Sequence, residues 1–356
     1  MNTLSCGAFP IAMLSLHLLA LLAGAAEPML EMSRVEVEVV HQEIRDQAGG
    51  GETSEKFETI RAHAQAWLSA LDVDNFIMSS ASLKETILDD WSQQKEKFQI
   101  VSVRKPDDYD KAGHIPHAAN TYWVDSVKDE NIASLDPNKT IILYCYYGHG
   151  SMISSTILSL LGYQCRSLNF GMMGWNLDAL VKEPWDQKAD YDVEVIQDSP
   201  EGSFPSPAIE SRSTDARAII REQAAKYLAG EGSPVIASAD VKAIVDDWQH
   251  SGGKYQILDV RSEREYEIGH VPHAINIPLV GAAEAANLRK LDPNRTVIVY
   301  SENGQTGQLA TTVLSLLGYR AIDMKFGMMD WNTTCVEKSR QWNGPAGYPV
   351  ERSNQL

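Results

Sequence analysis

At 356 residues the chain is long for a single hydrophobic core, so its length alone favours two domains. An apolar fraction of 44% with eight tryptophans excludes a disordered chain. With 48 acidic against 31 basic side chains, the formal charge of -17 argues against nucleic acid or an anionic membrane surface as a partner.

The chain opens on an apolar run from Phe9 to Leu22, followed by Ala23-Gly24-Ala25-Ala26. This is the pattern of a secretory signal peptide over residues 1–26, although the first ten residues hold no Lys or Arg. The run is too short to span a bilayer, which takes about 20 residues. The expectation is therefore an exported protein, periplasmic or extracellular, with no spanning segment after signal cleavage. Cys6 would leave with the signal, and the remaining Cys145, Cys165 and Cys335 are an odd set that leaves at least one thiol unpaired within the chain. Residues 27–56 form an acidic leader in which Val35, Val37 and Val39 alternate with Glu, enough for a short edge strand or a loose segment. From Phe57 onward Ile60, Ala64, Trp67, Leu68 and Leu71 recur at helical spacing.

The organising feature is an internal repeat. Ile87-Leu88-Asp89-Asp90-Trp91 returns as Ile244-Val245-Asp246-Asp247-Trp248, and Gly113-His114-Ile115-Pro116-His117-Ala118 as Gly269-His270-Val271-Pro272-His273-Ala274. Leu158 to Tyr163 matches Leu314 to Tyr319, and Phe170-Gly171-Met172-Met173 matches Phe326-Gly327-Met328-Met329. A domain has been duplicated. The predicted organisation is domain 1 at 57–190, a Pro/Ser-rich linker at 191–216 and domain 2 at 217–350. Within each copy strands alternate with helices, which predicts an α/β fold with a mainly parallel sheet covered on both faces. Ligands on such sheets bind at the carboxyl ends of the strands.

Cys145 stands at such an end, after the apolar run Ile141-Ile142-Leu143-Tyr144 and before Tyr146-Tyr147-Gly148-His149-Gly150-Ser151. The expected form is a buried strand, a tight loop and a helix N-terminus, whose N–H groups and dipole attract an anion. A cysteine at the lip of that cup gains nucleophilic character. The alternative for this residue is a small buried core cysteine. The second copy has Ser301-Glu302-Asn303-Gly304-Gln305-Thr306-Gly307 at the same place, with the glycine turn and no thiol.

Together these motifs resemble the rhodanese family, and the two-copy layout is similar to tandem-domain sulfurtransferases. The carriers are Val103-Arg104, the Gly-His-Ile-Pro-His motif, the Cys145 loop, Gly162-Tyr163 and Gly171-Met172-Met173-Gly174-Trp175. The second copy carries the opening motif more fully, as Leu258-Asp259-Val260-Arg261, where the first has Ser102 in place of the acidic residue. The resemblance implies two tandem rhodanese-like domains and a persulfide on Cys145, cradled by Tyr146, Tyr147, Gly148, His149, Gly150 and Ser151, with Arg104 in a supporting role. A small sulfur donor such as thiosulfate and a thiol or cyanide acceptor would be the partners, a protein partner being a further candidate, with no cofactor and no metal. The phosphatase relatives of the fold have a longer loop ending in an arginine, whereas Ser151 stands there in this chain. Familiar tandem enzymes also carry the active loop in the second domain, the reverse of the order here. Ser301 cannot form a persulfide, and Glu302 would repel an anionic donor, so the second copy reads as silent.

Other residues divide between site and scaffold. His149, when protonated, would attract an anionic donor, or else it is an exposed loop residue without a role. Arg104 and Arg261 occur in both copies, so they are expected to fasten strand-end loops, as are His114, His117, His270 and His273. Met172, Met173, Met328 and Met329 read as packing, and Trp91 and Trp248 as core. The absence of Lys or Arg beside Cys145 favours the rival function, an exported non-catalytic binding or assembly module. A thiol oxidoreductase pairing Cys145 with Cys165 is a third alternative, disfavoured by the intervening helix.

Overall fold

The computed structural model describes residues 55–186, 189–196, 202–230 and 234–352. The stretch read as a signal peptide and nearly all of the stretch read as an acidic leader lie outside these residues. Two sheets, each of five parallel strands, carry the architecture, which is α/β in both halves. The first contains β1 (Ile77–Met78), β2 (Phe98–Ser102), β3 (Ala119–Asn120), β4 (Thr140–Tyr144) and β5 (Gln164–Leu168), in the order β1-β5-β4-β2-β3. The second repeats it with β6 (Val235–Ile236), β7 (Tyr255–Asp259), β8 (Ala274–Asn276), β9 (Thr296–Tyr300) and β10 (Arg320–Met324), ordered β6-β10-β9-β7-β8. The central strands β4 and β9 are buried along nearly their whole length, which is why they read as continuous apolar runs rather than alternating ones.

The N-terminal periodicity folds as α1 (Glu55–Ala70), burying Phe57, Ile60, Ala64 and Leu68. It docks across the repeat, because Arg61 Nη1 donates to Ala283 O at 3.0 Å and Gln65 Nε2 to Val280 O at 2.8 Å. The counterpart α5 (Ala216–Leu228), just before the second copy, docks on the first, where Arg221 Nη2 donates to Val127 O at 2.9 Å. Between them lie α3 (His149–Leu160) and α8 (Gln305–Leu316), which pack against each other and are buried on nearly every position. A helix enclosed on all sides cannot be amphipathic. Small hydroxyl residues fill its close contacts, among them Ser154, whose Oγ lies 2.7 Å from Ser126 Oγ.

The exchange extends to the tails, a difference from the expected linear organisation. Part of the stretch read as linker pairs with the second domain: Tyr191 N donates to Trp331 O at 3.0 Å, and Glu194 and His270 exchange two backbone bonds of 2.9 Å. The end of the chain pairs with the first domain in the same manner, through His114 and Glu351 and through Trp175 Nε1 to Pro349 O at 3.0 Å. Each tail satisfies the backbone and the indole of the other domain's Met-Met helix. Trp175 and Trp331 are fully buried there, whereas Trp91 and Trp248 are only half-buried. Those two were expected in the core, but they cover His117 and His273 in parallel stacks of 4.8 and 4.6 Å. No helix among the described residues is long and apolar enough to cross a membrane.

Candidate active site

Cys145 follows β4 directly and is 3% exposed. The helix begins earlier than the glycine pattern suggested: α3 starts at His149, so Gly150 and Ser151 belong to its first turn, and Gly148 is its N-cap with φ 108. Only glycine adopts that backbone without strain, and Gln305 Nε2 would lie 2.1 Å from any Cβ placed there. The result is a tight cup. Gly148 N–H donates to Cys145 Sγ at 3.1 Å, and Ser151 Oγ lies 3.7 Å from the same sulfur while donating to Gly148 O and contacting Ser167 Oγ at 2.9 Å. The first N–H groups of α3 have no partner within the helix, which leaves this end suited to an anion.

A second turn clamps the cup from behind. In α4 (Gly171–Trp175), Met172 N donates to Cys145 O and Met173 N to Tyr146 O, both at 2.9 Å. A Cβ on Gly171 would come within 2.5 Å of Cys145 O, so glycine permits this approach. Met172 and Met173 are fully buried and pack the support, as do Met328 and Met329 in the second copy.

Arg104 is completely buried behind the site and does not enter it. Its guanidinium donates to Ala179 O at 2.8 Å and Gly113 O at 2.6 Å, tying strand end to loop. Tyr146 has its hydroxyl bonded to the Asp108 carboxylate and accepts from Lys105 N, while Tyr147 donates to Glu183 O at 2.7 Å. Burial is the first cause that pushes both phenols up, Tyr147 to about 12. They are therefore neutral walls of the cavity. His114 and His270 stack on Tyr109 and Tyr266 at 3.9 and 3.7 Å.

His149 departs from both sequence expectations. It is neither exposed nor a cation facing the donor. Its ring is 6% exposed and turns toward the second domain, with Nδ1 3.0 Å from Asp323 Oδ2 but off the line that a hydrogen bond requires. Burial, aided by Lys325, pushes the imidazole down to about 3, and burial likewise pushes the Asp323 carboxyl well above its usual range. Desolvation thus favours the neutral form of each. The reciprocal residue Gln305 reaches back, its Nε2 3.5 Å from Leu168 O.

Positive charge comes from residues that the loop motif does not contain. A cavity of about 450 Å³ in front of Cys145 is walled by Trp123, Tyr146 and Tyr147 and also by Lys182, Pro234 and Lys325. Lys182 Nζ sits 4.8 Å from the centroid of the Tyr146 ring, and Lys325 Nζ 4.5 Å from that of Tyr147. The expectation that no cation stands near the cysteine is thereby corrected. Lys182 lies 37 residues beyond Cys145, and Lys325 comes from the other copy. The repeat held a signal for Lys325, because the first copy has Asn169 at that place.

The second cup keeps the geometry. Gly304 N–H donates to Ser301 Oγ at 3.2 Å, and Met328 N to Ser301 O at 2.8 Å. Its cleft, about 790 Å³, is lined by Glu302, Asn169 and Arg340, and the arginine is ion-paired with Asp74 at 3.3 Å. Burial raises the Glu302 carboxyl, with Glu265 adding to the effect. Cys165, Cys335 and Cys145 are all free. Burial pushes the Cys165 thiol up to about 12, which does not suit a resolving partner.

The site is thus a parallel α/β sheet with a cysteine at a strand's carboxyl end, set before a glycine-capped helix N-terminus. The rhodanese-like domain model matches residues 85–178 and 241–334, and the chain belongs to that family as a tandem of two such domains. It is 37% identical over 73 residues to the thiosulfate sulfurtransferase PspE of Escherichia coli, covering 20% of this chain and 70% of PspE. It is also 33% identical over 76 residues to the putative sulfur carrier protein YrkF of Bacillus subtilis, covering 21% of this chain and 40% of YrkF. Among solved structures, the thiosulfate sulfurtransferase of Pseudomonas aeruginosa is similar over 82% of this chain and 50% of its own length, at 18% identity and a TM-score of 0.29.

Proposed function

We propose that the protein is a sulfurtransferase that carries a sulfane sulfur on Cys145. The observation that carries this reading is the Gly148 N–H bond to Cys145 Sγ at the N-terminus of α3, in a family whose relatives include a thiosulfate sulfurtransferase. In the proposed cycle the Cys145 thiolate attacks the outer sulfur of a donor such as thiosulfate. The donor's sulfur–sulfur bond breaks, its electron pair leaves on sulfite, and Cys145 holds the transferred sulfur as a persulfide. A thiolate or cyanide then attacks the terminal sulfur and regenerates the Cys145 thiolate, so no oxidant and no net proton transfer are required. The first-turn N–H groups of α3 offer preorganised dipoles to the charge that develops on sulfur. Ping-pong kinetics follow. The N-terminal apolar run supports an exported setting, where such a cycle would meet external sulfur anions.

Incubation with thiosulfate followed by intact-mass measurement tests this reading. Wild type should gain one sulfur atom and Cys145→Ala none; absence of the adduct with thiosulfate, mercaptopyruvate and polysulfide would leave a binding module in its place. The second copy offers a further expected outcome. In a Cys145→Ala background, Ser301→Cys should yield no persulfide from thiosulfate, because Glu302 and the Asp74-paired Arg340 line that cleft where Tyr146 and the lysines line the first. Stoichiometric sulfur on residue 301 would show that the missing thiol alone silences the domain.

A further inference from the structure

We propose that the thiol-free second domain completes the first domain's site by supplying Lys325, which together with Lys182 makes the Cys145 cavity selective for anionic reactants. This deepens the sulfur-transfer reading by assigning the donor's charge class and the residues that select it.

The argument begins with the repeat. Lys325 follows β10 at the place where the first copy has Asn169. The reciprocal packing carries each of these residues to the other domain's cleft: Asn169 lines the cleft with Glu302 and Asn303, the residues after Ser301, and Lys325 lines the cavity in front of Cys145. The copy with the thiol therefore receives an ammonium, and the copy without it receives a neutral amide. Lys325 N–H donates to Ile236 O at 2.9 Å, which anchors the residue to β6. Its side chain is half-buried, with Nζ 4.5 Å from the Tyr147 centroid and 4.8 Å from that of Phe326. Both rings hold the long side chain toward the cavity at little further entropic cost.

Two like charges converge at this mouth. Lys182 belongs to the first domain; burial first pulls the Lys325 ammonium down, Asp330 opposes that shift, and Lys182 adds to it by like-charge repulsion. Such repulsion is relieved when an anion enters between them. Glu183 is the opposing charge, exposed at the rim with its backbone carbonyl taken by Tyr147. His149, the first residue of α3, also lines the cavity, but its Nδ1 faces Asp323 and burial favours its neutral form. Lys325 is half-buried, which gives its ammonium more weight than an exposed surface lysine has, whereas Lys182 is exposed and acts from the rim.

The charge class can be tested without sulfur transfer. Full-length protein is alkylated with iodoacetate, an anion, and separately with iodoacetamide, its neutral isostere, and the rate at Cys145 is followed by peptide mass mapping. The iodoacetate-to-iodoacetamide rate ratio should fall about fivefold in Lys325→Met and again in the double variant with Lys182→Met, and Lys325→Arg should restore it. With thiosulfate, Lys325→Met should raise KM and leave kcat nearly unchanged. An unchanged ratio, or equal changes in both rates, would overturn the proposal. Thermal midpoints on the same samples identify any variant that has lost its fold, and the exposed Lys182→Met carries the test in that event. If wild type shows the charge selectivity but takes up no sulfur, the sulfur-transfer reading fails while this one stands.

Discussion

Cys145→Ser should lower kcat/KM for transfer from thiosulfate to cyanide by about 10³-fold or more while leaving the thermal midpoint within a few degrees of wild type. The protein contains its own control for this substitution. Ser301 sits in the equivalent turn, accepts Gly304 N–H at 3.2 Å where Cys145 accepts Gly148 N–H at 3.1 Å, and is fully buried in an intact cup. The architecture therefore tolerates a hydroxyl at this place. What a hydroxyl lacks is the chemistry, since serine is barely ionised near neutral pH and cannot hold sulfur as a persulfide. Steady-state kinetics with a parallel thermal melt provides the check. A loss of stability matching the loss of rate would mean that the thiol is a packing residue.

Arg261→Met should destabilise the fold by about 3–5 kcal/mol, more than Arg104→Met does, measured as unfolding free energy in urea. Both arginines are buried and both tie a strand end to backbone carbonyls. Arg261 is also paired with Asp259, Nη2 to Oδ2 at 2.6 Å, with neither side chain exposed. Burial opposes the guanidinium's charge, and Asp259 outweighs it. Removing the arginine strands a carboxylate in the interior, which costs more than leaving carbonyls without donors. The first domain avoids that hazard with Ser102, whose Oγ lies 3.4 Å from Arg104 Nε. The chain thus already contains the serine version of the pair, so Asp259→Ser should cost less than Arg261→Met. Equal costs would show that the ion pair adds nothing beyond the loop ties.

The duplication, the parallel α/β halves, the cup at Cys145 and the absence of a thiol from its twin were legible in the residues alone. Each is a local relation: an apolar run places a strand, a glycine with positive φ permits the turn, and the residues directly after that glycine begin a helix. Motif spacing encodes such geometry because neighbours in the chain are neighbours in the cup. The scaffold roles of Arg104 and Arg261 were also accessible, since residues present in both the thiol and thiol-free copies point to architecture.

The tertiary structure decided the rest, because chain order carries no spacing signal for contacts between the two copies. His149 reads as a loop cation in sequence, and only its burial against the second domain, with Asp323 on β10 beside it and Lys325 near, favours the neutral ring. The Tyr191–Glu194 stretch reads as linker but supplies backbone partners to the opposite domain. Lys325 is an unremarkable strand-end lysine, 180 residues from Cys145, until the reciprocal packing sets it at that cavity. The residues by themselves determined where the loop thiol sits and that only one copy holds it. The packing of one copy against the other determined which charges line the cavity beside that thiol, since electrostatics depends on distance in space and not along the chain.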